Sequence, residues 1–397
     1  MIRSQLDHLV DAIMQDAPDA SDIIFTVGKP PQVEVFGDLR DVAAGPLTKP
    51  LNPFQVESIA TCMMGRSMRL YQDQLRSGSC DLSYELPGQY RFRVNVLGQK
   101  ASLGIVMRKL AMHVPTLEEM GLPEVFHKMV NEKYGLILVT GGTGTGKSTS
   151  LAALIDRINE HHPKHIVTLE DPIEYLHTHK KGTVNQRELG QDFDAFASGL
   201  RAALRQAPKV ILVGEIRDRE TVTTALEASE TGHLVLGTLH TSDAGQTINR
   251  IIGMFDLSEE RLVRQRLAES LKFVVSQRLM PRVSGGRVAA FEIMATNLRV
   301  REVIHNGESE EKNFYSIIEQ GEAFGMITFD KFLANLFEKG EITARTAMIH
   351  ASFRTRLMQM IDRIRANRGE KVTDIERLEL DVNYGQGSGG RGGSGVH

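Results

Sequence analysis

The chain has 397 residues, 41% of them hydrophobic and 24% charged, and its 47 basic and 50 acidic side chains leave a formal net charge of -3. That length predicts two domains and a tail, and that charge balance gives no electrostatic reason to expect a nucleic acid as partner. Cys62 and Cys80 are the only cysteines, which points to a reducing compartment and excludes a four-thiolate zinc site.

In chain order, Leu6, Leu9, Val10, Ile13 and Met14 recur at helical spacing and predict an amphipathic first helix rather than a signal peptide. Residues 23–27 and 32–36 read as strands parted by Gly28-Lys29-Pro30-Pro31, and 54–75 reads as helix. Residues 81–86 and 90–96 read as strands around Pro87-Gly88, a hairpin signal, and 102–108 as another strand. Residues 1–112 therefore form a small α+β domain. The segment from His113 to Pro123 carries two prolines and a glycine, and 113–121 is read as a linker. From 122 the pattern alternates, with apolar runs at 136–140, 166–169, 210–213 and 234–238 separated by helical patterns. Such alternation predicts a mostly parallel sheet covered on both faces, in a second domain over 122–366. Beyond Ser258 the pattern reads as largely helical to about Ile364. The end, 367–397, is charged and then glycine-rich, with seven glycines in its last thirteen residues, and is expected to be disordered. No apolar run approaches eighteen residues, so no membrane span is expected and the chain reads as cytoplasmic or peripheral.

The run Gly141-Gly142-Thr143-Gly144-Thr145-Gly146-Lys147-Ser148, followed by Thr149, fills every defined position of the phosphate-loop pattern G-x-x-x-x-G-K-[ST]. A strand precedes it, and Leu151, Leu154, Ile155 and Ile158 recur at helical spacing behind it. Backbone N–H groups of such a loop cradle a polyphosphate at the positive end of a helix. Lys147 is expected to reach the β- and γ-phosphates of ATP or GTP, and Ser148 to ligate Mg²⁺.

Turnover needs carboxylates as well. Glu170-Asp171-Pro172-Ile173-Glu174 follows the strand 166–169, and Gly214-Glu215 follows 210–213. Gly214 fills a position where many phosphate-loop ATPases carry Asp, so Glu215 is expected to serve Mg²⁺, through water. Glu170, Asp171 or Glu174 is left to handle the attacking water. His233 and His240 flank the strand 234–238, placed to sense a γ-phosphate. Arg91 and Arg93 alternate along 90–95 and so project to one face, the arrangement of an arginine supplied in trans at a subunit boundary.

These residues in this order closely resemble the type IV pilus retraction ATPases, the PilT and PilU motors of the wider secretion-ATPase superfamily. The resemblance runs from about Ser21 to Leu357. It is carried by Tyr90-Arg91-Phe92-Arg93-Val94-Asn95, the phosphate loop, Thr168 to Glu174, Val184-Asn185-Gln186-Arg187-Glu188, Ile211 to Asp218, and Thr231 to His240. It implies an α/β fold, a RecA-like ATPase domain joined to a PAS-like N-terminal α+β domain, assembled as a homohexamer. It further implies ATP and Mg²⁺ as ligands, an inner-membrane pilus platform protein as partner, and a place at the inner-membrane base of the pilus machine. By that likeness Glu174 falls on the catalytic glutamate, Glu215 on the Walker B glutamate, His233 and His240 on the two box histidines, and Arg91 and Arg93 on the arginines that reach nucleotide. Extension and secretion motors of the superfamily usually carry a tetracysteine zinc module that this chain cannot form, which favours retraction, with a pilus-extension or type II secretion ATPase as the alternative. The family's Ala-Ile-Arg-Asn-Leu-Ile-Arg-Glu segment appears here as 299–306 with one arginine and the apolar spacing kept. Arg205 to Pro208 and Gln277 to Arg282 look more like PilU, the accessory motor that works beside a partner retraction ATPase.

Overall fold

The computed structural model describes residues 1–42 and 47–370, so nearly all of the expected disordered tail lies outside the described residues. Among the described residues the chain forms two compact units: Met1–Met280 with Ala289–Thr328, and a second comprising Pro281–Val288 and 329–370.

In the first unit, α1 (Arg3–Asp16) buries the five apolar residues that predict it. There follow β1 (Asp22–Phe25), β2 (Gln32–Val35), β3 (Asp38–Asp41), α2 (Pro53–Met64), α3 (Met68–Ser77), β4 (Ser79–Leu86), β5 (Tyr90–Gln99) and β6 (Ser102–Leu110). The six strands make one antiparallel sheet in the order β3-β2-β1-β6-β5-β4. The single helix expected over 54–75 is instead two, because Gly65 ends α2 and the chain restarts after Ser67. β3 has every residue exposed and no apolar alternation to announce it. In β5, Phe92, Val94 and Val96 enter the core beneath α1 and α2, which turns Arg91 and Arg93 to the opposite face.

Also in the first unit are α4 (Val125–Val130), β7 (Gly135–Thr140), α5 (Lys147–His161), β8 (His165–Glu170), β9 (Thr183–Glu188), α6 (Phe196–Ala203), β10 (Val210–Val213), α7 (Arg219–Glu230) and β11 (Leu234–Leu239). After these come α8 (Ala244–Ile252), α9 (Glu260–Ser270), β12 (Leu271–Pro281) and β13 (Arg287–Ala295), both in this unit but for Pro281 and Arg287–Val288, then α10 (Leu298–Asn306) and α11 (Phe314–Glu319). Their seven-stranded sheet runs β13-β12-β7-β11-β10-β8-β9, and the six strands from β12 to β9 pair in parallel. β7, β10 and β11 are buried at every residue, as continuous apolar runs between helices require. Asp218 and Asp243 cap α7 and α8, accepting from Thr221 N and Gln246 N at 2.8 Å each.

The largely helical reading beyond Ser258 is corrected here. Two long strands, β12 and β13, occupy 271–281 and 287–295. A buried run such as Leu271 to Val275 has no period that separates strand from helix; its parallel pairing with β7 decides the matter.

The second unit holds α12 (Phe329–Glu338), α13 (Ala344–Ile349) and α14 (Arg354–Asn367). Within it, the buried Asp330 carboxylate accepts from the backbone N–H groups of Ser352 and Phe353 ahead of α14.

Candidate active site

Parallel pairing places the C-terminal ends of β7, β11, β10 and β8 along one edge of the sheet, since Thr140 pairs with Leu239, Gly237 with Val213, and Val213 with Leu169. Loops leaving such an edge are where open α/β sheets collect ligands. The phosphate loop follows Thr140, His240 follows Leu239, Gly214-Glu215 follows Val213, and the acidic segment begins at Glu170.

The phosphate loop is built close against β12. A Cβ on Gly141, whose φ is +145°, would come within 2.5 Å of the Gln277 carbonyl oxygen. Gln277 is itself buried and accepts from Ser150 Oγ at 2.9 Å, so β12 backs both the loop and the first turn of α5. Lys147 lies buried along the loop and donates to the carbonyls of Gly141 and Gly142, at 2.8 Å each. Burial pulls its ammonium below the ordinary lysine range, against the opposing pull of Glu215 and Glu174. Thr145 Oγ1 donates to Gly142 O at 2.9 Å, which braces the loop internally, and Thr143 and Gly144 are exposed at its tip.

A cleft beside the loop is lined by Ser148, Glu170, Asp171, Glu174, His177 and Glu215. Burial pushes the Glu170 carboxyl above the ordinary carboxylate range, although Gln186 and Thr168 both donate to it, at 3.0 and 2.7 Å. Burial acts on Glu215 in the same sense, but Arg217 and then His240 outweigh it and hold that carboxyl low. Gly214 is forced to be small: a Cβ there would meet the Leu169 carbonyl oxygen at 2.8 Å. The Asp common at this position in other phosphate-loop ATPases has no room here.

The loop bearing Glu174 is stitched to its surroundings. Tyr175 Oη donates to Thr149 Oγ1 at 3.1 Å, Lys180 pairs with Asp156 at 2.7 Å, and Asn159 Nδ2 donates to the Thr178 carbonyl at 2.7 Å. Thr149, Asp156 and Asn159 recur along one side of α5, so the helix that starts at the phosphate loop also carries the acidic loop. From β9, the Gln186 amide donates to Tyr175 O and accepts from His177 N, both at 2.8 Å.

One expectation changes. The strand β11 separates its ends by roughly 20 Å, and His233 stands at the end away from the phosphate loop. Its carbonyl accepts from Gly135 N, and its Nδ1 lies 3.0 Å from Ala228 O. In a single chain His240, and not His233, contacts a cleft residue, Glu215. Within its own chain Arg91, 5% exposed, donates to the carbonyls of Ile173 at 3.0 Å and Glu174 at 3.4 Å. Arg93 is more open, 3.8 Å from Asp81, in a cleft that it shares with Asp171 and Glu188. Gln186, Glu188, Arg217 and Gln277 drew no role from the sequence, because only the folded sheet edge brings them to the loop residues they touch.

Over residues 49–285 the chain matches the family described as Type II/IV secretion system protein. It is 44% identical over 329 residues to the type IV pilus retraction ATPase PilT of Pseudomonas aeruginosa, covering 83% of this chain and 93% of that one. The chain belongs to the type IV pilus retraction ATPase family. A second member, the type IV pilus ATPase PilU of Pseudomonas aeruginosa, is 40% identical, with 86% of this chain and 87% of that one covered. The crystal structure of the pilus retraction motor PilT with bound ADP matches at a TM-score of 0.79 and 40% identity, covering 89% of this chain and 98% of that chain. The ATPase DotB of Legionella pneumophila matches at 0.75 and 29% identity, covering 86% and 95%. The retraction-ATPase fold, a RecA-like α/β domain preceded by a smaller α+β domain, is the architecture seen here. Among the described residues no helix is long and apolar enough to cross a membrane.

Proposed function

We propose that the chain binds and hydrolyses ATP with Mg²⁺ and couples turnover to pilus retraction. The observation that carries this reading is the gathering of Lys147, Ser148, Glu174 and Glu215 at one sheet edge, with Arg91 of the antiparallel sheet gripping the segment that bears Glu174. Lys147 exchanges the carbonyls of Gly141 and Gly142 for phosphate oxygens, and the loop N–H groups complete the cradle. Ser148 and Glu215 offer hard oxygen donors, which suit an ion that takes few protein ligands beside phosphate oxygens and water. Ser148 and Glu215 would hold Mg²⁺ there, where it would supply neutralisation of charge on the phosphates. Glu174 orients and deprotonates the attacking water, and His240 reads the γ-phosphate through its contact with Glu215.

The assembly proposed is a homohexameric ring at the inner-membrane base of the pilus. Residues 1–112, a PAS-like module, move against 122–366 about the linker 113–121, with Arg93 free to reach nucleotide as the interface closes. The ring drives an inner-membrane platform protein. Glu174→Gln should bind ATP and barely hydrolyse it, and deletion of the gene should leave cells with surplus pili and no twitching. Bald cells would point instead to extension.

An accessory role beside a partner retraction ATPase is the second reading. It is favoured by 299–306, where α10 keeps the family segment's apolar spacing and little else. ATPase activity of the purified chain alone, then with the partner motor, separates the two.

A further inference from the structure

The geometry points to Glu188 as a positioning residue that transmits the placement of the N-terminal sheet to Glu174. Glu188 ends β9 and is 7% exposed, an uncommon burial for a carboxylate. Its Oε2 accepts from the Ile173 backbone N–H at 3.2 Å. The same carboxylate accepts from Ser83 Oγ, on β4 of the antiparallel sheet, at 3.0 and 3.1 Å. Gln191 Nε2 donates to its remaining oxygen. Ile173 is thereby held at both polar groups of its backbone. Its N–H goes to Glu188, which is tied to Ser83, while its carbonyl accepts from Arg91. Both restraints trace to neighbouring strands of one sheet, since Ser83 on β4 lies two residues from the register partner of Arg91 on β5.

Glu174 is the next residue along. A displacement of the antiparallel sheet therefore pulls on both peptide units that flank Ile173, the second of which leads into Glu174, before any nucleotide contact is considered. A buried carboxylate with three protein donors is a costly way to staple two elements unless its geometry matters. The Ser83–Glu188–Ile173 chain makes the orientation of the proposed base depend on closure of the N-terminal domain. This rests on the proposed role of Glu174.

The test is steady-state ATP turnover of the full chain, together with amide hydrogen exchange over residues 171–176. Ser83→Ala removes only the bridge, Glu188→Ala removes the hub, and Glu188→Gln retains a carbonyl acceptor. Ser83→Ala and Glu188→Ala should lower kcat about ten- to a hundredfold with KM nearly unchanged, as expected for a group moved by a fraction of an ångström. Exchange over 171–176 should quicken in both, and Glu188→Gln should recover most of the loss. Unchanged kcat and exchange in Ser83→Ala, beside an inactive Glu174→Gln, overturn the inference. If Glu174→Gln turns over normally, the assignment of the base fails instead, and the exchange data alone then judge the tether. Should Glu188→Ala fail to fold, Ser83→Ala and Glu188→Gln carry the test.

Discussion

His240 Nε2 lies 3.4 Å from Glu215 Oε1, and that contact joins the ends of two neighbouring parallel strands. The Arg217 guanidinium engages both oxygens of Glu215, Nε on Oε1 and Nη2 on Oε2, at 2.5 Å each. Arg217 first and His240 second hold the carboxylate ionised, beside Ser148. Glu215→Gln keeps the shape and removes the charge. Turnover should fall about a hundredfold, the size of effect seen when a group aimed at developing charge is lost. Affinity for a non-hydrolysable ATP analogue should change far less. Equal losses in both quantities would make Glu215 a ground-state binding group.

Lys147→Met keeps the aliphatic stem and discards the ammonium. Binding of the same analogue should weaken more than about a hundredfold, since a charge-assisted phosphate contact is lost. Stability should respond in a pH-dependent way. Because burial lowers the Lys147 pKa, the folded chain binds fewer protons than the unfolded chain up to the ordinary lysine range. Wild-type stability relative to the variant therefore rises with pH across that window. Urea unfolding at about pH 8 and pH 10 reads the difference, and a wild-type advantage that shrinks over that interval contradicts the argument.

Glu170 runs the opposite way. Burial raises its pKa, so the folded chain holds a proton that the unfolded chain has released once pH exceeds the ordinary carboxylate range. Between those two values wild-type stability falls as pH rises, a loss that Glu170→Gln abolishes. The variant should match the wild type near pH 4 and become the more stable of the two toward neutrality, by thermal unfolding. Equal stabilities across that range would mean that the two hydrogen bonds from Thr168 and Gln186 fully offset the burial.

How far the sequence could be read depended on whether a feature was local. The phosphate loop and the apolar strands β7, β10 and β11 depend on neighbours in the chain, and pattern alone located them. Arg91 and Arg93 were placed on one face by strand alternation, but nothing in 90–95 says which chain their face meets. The separation of His233 from His240 also escaped the pattern, because flanking a strand in sequence means standing at opposite ends of it in space. β12 carried no usable period, and the buried Gln277 behind the phosphate loop was hidden with it. Gln186 and Glu188 could be found only once β9 was seen to pair with β8 beside the acidic loop.

Gly214 offers the sharpest test of the local packing. Its place after β10 is one where Asp would be chemically welcome, and the nearest obstacle is backbone rather than a movable side chain: the Leu169 carbonyl oxygen at 2.8 Å and the Glu170 Cα at 3.3 Å from a built Cβ. Gly214 N also donates to that same carbonyl at 2.7 Å, so β8 and β10 cannot part without losing a hydrogen bond. Gly214→Ala should therefore cost about 1–3 kcal/mol by urea unfolding, the range for forcing an extra carbon into a packed interior. Because the displaced backbone is that of Glu170, the same variant should lower kcat while leaving the phosphate loop, three strands along the sheet, able to bind nucleotide. A Gly214→Ala protein within about 0.5 kcal/mol of wild type would show that β8 yields freely, and the tight edge described here would not then be what keeps an aspartate out.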